Sequence, residues 1–320
     1  MNSLPATTPK TFSLLSIGQR GVGKTVFLAG SYTELHPDSQ SDDPQQLWFD
    51  CQDNEVQGNL AKIQNHVART GLYPPPTIKI TNFNFSLKRR IPSGVETVCD
   101  FRWWDIPGES CNIHNPDFQD MIFTSNGCCV FINAYGLIKD QEYPRVIEDI
   151  YNQVAAIASV VVKYNIQYAF AIILTKCDLL ELNPDILLQI DQNLQPLTTY
   201  LNSVEATYQK FYSAIPIVSL DGVPRLKAQG AANPLLWLLT QLNQTDNIPS
   251  PKDSVSELTH RSSIDQLLPL KSRKYILVMY LVSIIVLGAI ASLLFATNIF
   301  TSSPTTNQSP NPTPQNEVAN

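Results

Sequence analysis

The chain has little positive charge and no broad cluster of it: 22 Lys and Arg stand against 28 Asp and Glu, a formal net charge of -6 and a pI near 5.2. Binding a nucleic-acid backbone needs gathered cations that displace counterions, so no nucleic-acid partner is expected. Six cysteines, at positions 51, 99, 111, 128, 129 and 177, include no Cys-x-x-Cys pair. Three of them fall in apolar strand-like runs, where a buried reduced thiol is ordinary. Neither a zinc site nor a disulfide framework is expected. Residues 1–16 lack the basic segment, long apolar stretch and small-residue cleavage site of a secretory signal, so the N-terminal domain is expected in the cytosol. No internal repeat at a fixed period is present.

What is present is enough to fold. With 43% apolar residues in 320, the chain can build a real core as one generous domain or two small ones. Over residues 1–243 strand and helix signals alternate. Phe12–Ile17, Cys128–Ala134, Ala169–Leu174 and Ile215–Ser219 read as buried strands, each followed by a turn and a helical pattern. This is the pattern of a doubly wound α/β sheet. Two further strands, Thr77–Lys88 and Glu96–Trp104, flank Pro92-Ser93-Gly94 as a hairpin, which predicts a mostly parallel sheet with one antiparallel edge strand. Between the first strand and the hairpin, Val56, Leu60, Ile63 and Val67 recur at helical spacing, predicting an extra amphipathic helix over 53–71.

Residues Gly18 to Thr25 read G-Q-R-G-V-G-K-T, which matches Gly-x-x-x-x-Gly-Lys-Thr between a strand and a helix. In that setting the backbone N–H groups of Gly18, Gly21, Val22, Gly23, Lys24 and Thr25 wrap a phosphate chain at a helix N-terminus. Lys24 then reaches the β- and γ-phosphates, and the Thr25 hydroxyl serves magnesium.

The second hairpin strand ends Trp104-Asp105-Ile106-Pro107-Gly108-Glu109. An aspartate leaving a strand, with glycine three residues on, suits a γ-phosphate sensor. Asp105 holds Mg2+ through water, and the Gly108 N–H donates to the γ-phosphate until hydrolysis removes it. A third element, Thr175-Lys176-Cys177-Asp178, follows the strand Ala169–Leu174. The Asp178 carboxylate accepts from guanine N1–H and the 2-amino group but opposes the acceptor N1 of adenine. The aliphatic stem of Lys176 covers base and ribose. Ser219, at the end of its predicted strand, offers a backbone N–H for guanine O6.

These stations, in this order on strand ends, resemble the P-loop GTPases of the translation-factor-related and Ras-like superclass over about Phe12 to Asn243. The resemblance implies a Rossmann-like P-loop GTPase fold, Mg2+ dependence and a GTP/GDP cycle with two mobile switch segments. Gly71-Leu72-Tyr73-Pro74-Pro75-Pro76-Thr77 and the Asp-x-x-Gly-Glu ending look similar to bacterial GTPases of the double-GTPase type, associated with conflict or signalling systems. By this resemblance Thr77 is the switch threonine for magnesium and γ-phosphate. Two departures stand out. Thr175 replaces the usual Asn, whose hydrogen bonds tie this loop to the phosphate loop. Glu109 stands where Ras-like enzymes carry a water-orienting Gln, and an ionised carboxylate beside the γ-phosphate predicts slow intrinsic hydrolysis. Arg20 and His114 are candidate electrostatic helpers.

From Tyr275 to Thr297 the sequence runs about 23 residues without a charge, enough to cross the roughly 30 Å hydrocarbon layer as a helix. The basic residues Lys271, Arg273 and Lys274 precede it and none follow, which predicts a single C-terminal transmembrane helix with the N-terminal domain cytoplasmic. Residues 244–274 read as a juxtamembrane linker. Residues 298–320, rich in Ser, Thr, Asn, Gln and Pro, read as a disordered polar tail. The sequence therefore predicts a membrane-tethered GTP-hydrolysing switch, with Lys24, Gly108 and Glu109 at the reacting phosphate and a cytosolic effector or regulator reading its state. A P-loop ATPase or nucleotide kinase, and a nucleotide-bound membrane scaffold with negligible turnover, are the alternatives.

Overall fold

Short apolar runs bounded by turns become strands, and longer amphipathic stretches become the helices that cover them. The computed structural model describes residues 8–35, 46–51, 54–75, 81–106 and 115–243. The chain divides into two compact units, Met1–Pro269 and Leu270–Asn320, and every described residue belongs to the first.

Strand β1 (Lys10–Ile17) leads into helix α1 (Lys24–Glu34). Then come β2 (Leu47–Asp50), α2 (Asn54–Thr70), and the hairpin of β3 (Thr81–Ile91) and β4 (Gly94–Asp105). The remainder runs α3 (Pro116–Thr124), β5 (Gly127–Asn133), α4 (Ala134–Lys139), α5 (Tyr143–Lys163), β6 (Ala169–Thr175), a 3-10 turn (Cys177–Leu179), α6 (Pro184–Ser203), β7 (Thr207–Tyr212), β8 (Ile217–Leu220), β9 (Val223–Leu226) and α7 (Asn233–Asn243). Seven strands form one sheet in the order β2-β3-β4-β1-β5-β6-β7, and β8 and β9 pair separately. β4, β1, β5, β6 and β7 are mutually parallel. From β1 the sheet grows on one side toward β4 and on the other toward β5. That reversal leaves a crevice at the C-terminal ends of the central strands, where α/β folds bind ligands.

Strand alternation sends Phe12, Leu14, Phe101, Trp103 and Phe131 to one face of the sheet, where they join residues of α1, α2 and α7 in one buried cluster. Phe27, in the first turns of α1, stacks on Trp103 at 6.2 Å and meets Phe131 edge-on at 5.0 Å. The start of the helix is thereby fixed to the strands on either side of β1. At its other end the Glu34 carboxylate accepts from the backbone N–H groups of Gly230, Ala231 and Ala232, each at 2.8 Å. One charge satisfies three donors just before α7 and ties that helix to α1.

The architecture departs from the sequence expectation in three places. The antiparallel strand is not at the edge: β3 pairs antiparallel with β4 and is itself covered by β2. With four residues, β2 is too short to show a period in sequence. The last strand of the sheet is β7, while 217–219 of the expected strand Ile215–Ser219 fall in β8, which pairs with β9 in the small hairpin. Finally, among the described residues no helix is long and apolar enough to cross a membrane. Even α5, at 21 residues, carries Arg145, Glu148, Asp149 and Lys163. The expected fold with a transmembrane helix is corrected accordingly: the described fold is an α/β domain with a mostly parallel sheet and contains no such helix. Residues 244–320, including 275–297, lie outside the described residues.

Candidate functional site

The turn after β1 is built from backbone conformations that favour glycine: Gly18, Gly21 and Gly23 have φ of 141°, 75° and 106°. At Gly18 a side chain is also excluded by space, since a Cβ there would lie 2.7 Å from the Phe131 carbonyl oxygen. Gly23 begins α1 without a side-chain cap, and no acidic residue stands in the first turn. The leading N–H groups and positive end of the helix dipole are thus available to an anion. Lys24 is buried, and its ammonium donates to the carbonyls of Gly18 at 2.9 Å and Gln19 at 3.3 Å. The charge is folded back over the loop it serves.

The parallel pairing of β1 with β4 sets Asp105 opposite Ser16, which places the end of β4 beside the glycine turn. There the Thr25 hydroxyl donates to the Asp105 carboxylate at 2.7 Å, and Asp105 is fully buried. Two residues 80 positions apart thus present a hydroxyl and a carboxylate together. Such hard oxygen donors fit magnesium, which takes one or two carboxylates, keeps waters and completes its shell with phosphate oxygens. Among the described residues no group of three or more His, Cys, Asp and Glu forms a protein-only metal site, and an ion at Thr25 and Asp105 would need those further oxygens.

At the ends of β6 and β7 the chain is knitted together. The Ser213 N–H donates to the Leu174 carbonyl at 2.8 Å, and the Cys177 N–H donates to the Ser213 carbonyl at 3.3 Å. The buried Thr175 hydroxyl donates to the Val22 carbonyl at 2.8 Å. Threonine thus ties the end of β6 directly to the glycine turn. Lys176 takes the left-handed conformation, φ 58°, and turns the chain so that Asp178 lies on the cavity wall. Burial, opposed by a backbone hydrogen bond and aided by the Asp178 charge, pushes the Cys177 thiol up to about 12.

A cavity of about 310 Å³ opens between these loops. It is lined by the glycine turn with Arg20, Lys24 and Thr25, by Thr175, Lys176, Asp178 and Leu179, and by Ser213 and Ile215. This size falls in the ordinary range of small-molecule sites. The fourth wall, Tyr73, Pro74 and Pro75, comes from the segment after α2. Burial, with the Asp178 carboxylate adding to it, raises the Tyr73 phenol above its usual value.

The fold brings Gly21, Val22, Gly23, Lys24, Thr25, Thr175, Lys176 and Asp178 to one cavity, with Gly18 beneath the loop and Asp105 bonded to Thr25. It does not bring Ser219 there. That residue sits exposed on β8, opposite Pro224. Ser213 is the serine that lines the cavity. Its hydroxyl is buried and has no hydrogen-bond partner among the described residues, a state that costs about 1–3 kcal/mol unless a ligand or water satisfies it. The signal for it was the run Thr207–Tyr212, whose mixed polar residues disguise a strand that is buried only at its end. Thr77, Gly108, Glu109 and His114 lie outside the described residues.

Neither family models nor curated proteins yield a match to this chain.

Proposed function

We propose that the protein is a magnesium-dependent GTP-binding and GTP-hydrolysing switch, whose nucleotide state is read by a partner. The observation that carries this reading is the joining of three sequence stations around one cavity: Lys24 in the glycine turn, Thr25 bonded to Asp105, and Asp178 held through Thr175. A generic glycine turn accounts for none of these ties.

In this reading the backbone N–H groups of 21–25 and the Lys24 ammonium bind the phosphates, with Lys24 exchanging its carbonyl partners for phosphate oxygens. Thr25 and Asp105 would hold magnesium, which supplies charge neutralisation on the β- and γ-phosphates. Asp178 selects guanine by accepting two hydrogen bonds, and the Ser213 hydroxyl adds a polar contact at the same end of the site. Rate enhancement comes from positioning and electrostatics rather than covalent chemistry. Glu109 lies outside the described residues; its carboxylate in place of a water-orienting Gln is the sequence ground for expecting slow turnover.

The test is affinity of the full chain for GTP, GDP, ATP and XTP with magnesium, followed by single-turnover hydrolysis of whichever binds. Guanine selectivity with slow turnover supports the switch, and Asp178→Asn moves the preference from guanine to xanthine. Preference for ATP discards the switch in favour of an ATPase or nucleotide kinase.

A further inference from the structure

Three of the cavity's walls are held by the sheet, because the glycine turn and the loops carrying Asp178 and Ser213 each leave the end of a parallel strand. The fourth has a different origin. Helix α2 stops at Gly71, φ 66°, and the Leu72 N–H donates to the Thr70 hydroxyl at 3.1 Å. Tyr73-Pro74-Pro75 then line the cavity. Two prolines fix their own φ and bias the residues before them to extended backbone, which makes this segment a stiff strut.

The Tyr73 hydroxyl joins this strut to the opposite wall by donating to the Ile215 carbonyl at 2.9 Å, across 142 residues. The acceptor is firmly placed. Ala214 and Gln229 exchange two backbone hydrogen bonds at 3.0 and 2.8 Å. The Ile215 side chain fills the space beside Gly30 of α1, where an added Cβ would lie 2.7 Å from its Cδ1. Tyr73 is itself 48% exposed. A half-exposed phenol, bonded to the Ile215 carbonyl and also meeting the Ile217 backbone, therefore links a stiff strut to a fixed wall.

We propose that Tyr73 is a latch that governs how long a nucleotide stays in the cavity, its hydroxyl holding the 73–75 wall shut against the Ile215 carbonyl. The inference rests on the guanine-nucleotide reading above. Release requires the strut to swing away, and the bond to Ile215 must break for it to do so. The ring is a wall and the hydroxyl is the catch, so the two contributions are separable by substitution.

The experiment loads the full chain with a fluorescent GDP analogue and follows its release into excess unlabelled GDP for wild type, Tyr73→Phe and Tyr73→Ala. Losing the hydroxyl and its backbone contacts accelerates release by roughly 3- to 10-fold in Tyr73→Phe. Tyr73→Ala, which also loses the ring, releases faster still. The association rate and the melting temperature of nucleotide-free Tyr73→Phe stay at wild-type values. Release from Tyr73→Phe at the wild-type rate, or a fall in its melting temperature large enough to explain the change, overturns the latch while leaving guanine binding intact. A wild-type chain that retains no guanine nucleotide overturns both readings.

Discussion

Thr175 at the end of β6 and Val22 in the glycine turn are joined by a 2.8 Å hydrogen bond from hydroxyl to carbonyl, so the loop that carries Asp178 is tied directly to the loop that carries Lys24. The same hydroxyl reaches the Ile132 carbonyl at 3.3 Å. Thr175→Val keeps the shape and removes the donor that the Val22 and Ile132 carbonyls share. The expected loss is about 1–3 kcal/mol of stability with a parallel weakening of GTP binding, read by urea denaturation and calorimetry. Thr175→Asn, which restores a donor, is expected to recover most of the binding.

Lys24→Ala removes the ammonium from a buried position where it bonds two loop carbonyls. Triphosphate affinity is expected to fall by about 100-fold or more, the value of one or two hydrogen bonds to a charged group. Titration calorimetry with GTP measures it. Unchanged affinity would remove the phosphate-binding assignment.

Gly18→Ala and Gly23→Ala separate crowding from backbone strain. At Gly23 a Cβ meets nothing within 4 Å, so the cost is the positive φ of 106° alone, about 1–2 kcal/mol. At Gly18 the Cβ would also lie 2.7 Å from the Phe131 carbonyl oxygen and 2.9 Å from its Cβ. Thermal unfolding is expected to place Gly18→Ala clearly below Gly23→Ala.

Glu34→Ala leaves the N–H groups of Gly230, Ala231 and Ala232 without their shared carboxylate. The expected loss is about 2–4 kcal/mol, with the denaturant slope unchanged. Glu34 lies at the far end of α1 from the glycine turn, so guanine-nucleotide affinity of the folded fraction is expected to stay near wild type.

Alkaline pH should destabilise the fold before it affects the buried acids themselves. Burial pushes Cys177, Tyr143 and Tyr151 up to about 12, above their unfolded values of roughly 8.5 to 10. Above those unfolded values the unfolded chain has lost protons that the native state keeps, so stability falls as pH rises. Chemical denaturation between pH 8 and 11 is expected to show a midpoint that declines steadily. At pH 8 a thiol at about 12 is ionised in only about one molecule in ten thousand. Iodoacetamide followed by peptide mass mapping is therefore expected to spare Cys177 until the protein is unfolded.

The most legible parts of the sequence were those where chemistry is local. The glycine turn is compressed into 18–25, and its conformations follow from residue type because glycine alone accepts those φ values without strain. The central strands β1, β5 and β6 were visible because both faces are covered, which makes each a nearly continuous apolar run. The helix expected over 53–71 corresponds to α2, whose stripe of Leu60, Ile63 and Val67 is buried. Peripheral elements were harder to read. β2 is too short to carry a period, and β7 shows the mixed pattern of an edge strand with one face half open. Reading Ile215–Ser219 as the last strand of the sheet moved the expected polar contact from Ser213 to Ser219.

By itself the sequence determined which groups are available: a lysine and a threonine after glycines, an aspartate closing one strand, a threonine and an aspartate following another. It could not determine distances between them, because the 80 residues from Thr25 to Asp105 and the 153 from Val22 to Thr175 carry no local record of contact. Those distances follow from sheet order and register, which are set by the burial of both faces together. Tertiary structure alone decided that Ser213 faces the cavity, that Glu34 caps the chain before α7, and that the Tyr73 phenol meets the Ile215 carbonyl. Each depends on segments converging from distant parts of the chain, and packing of the whole sheet fixes where they meet.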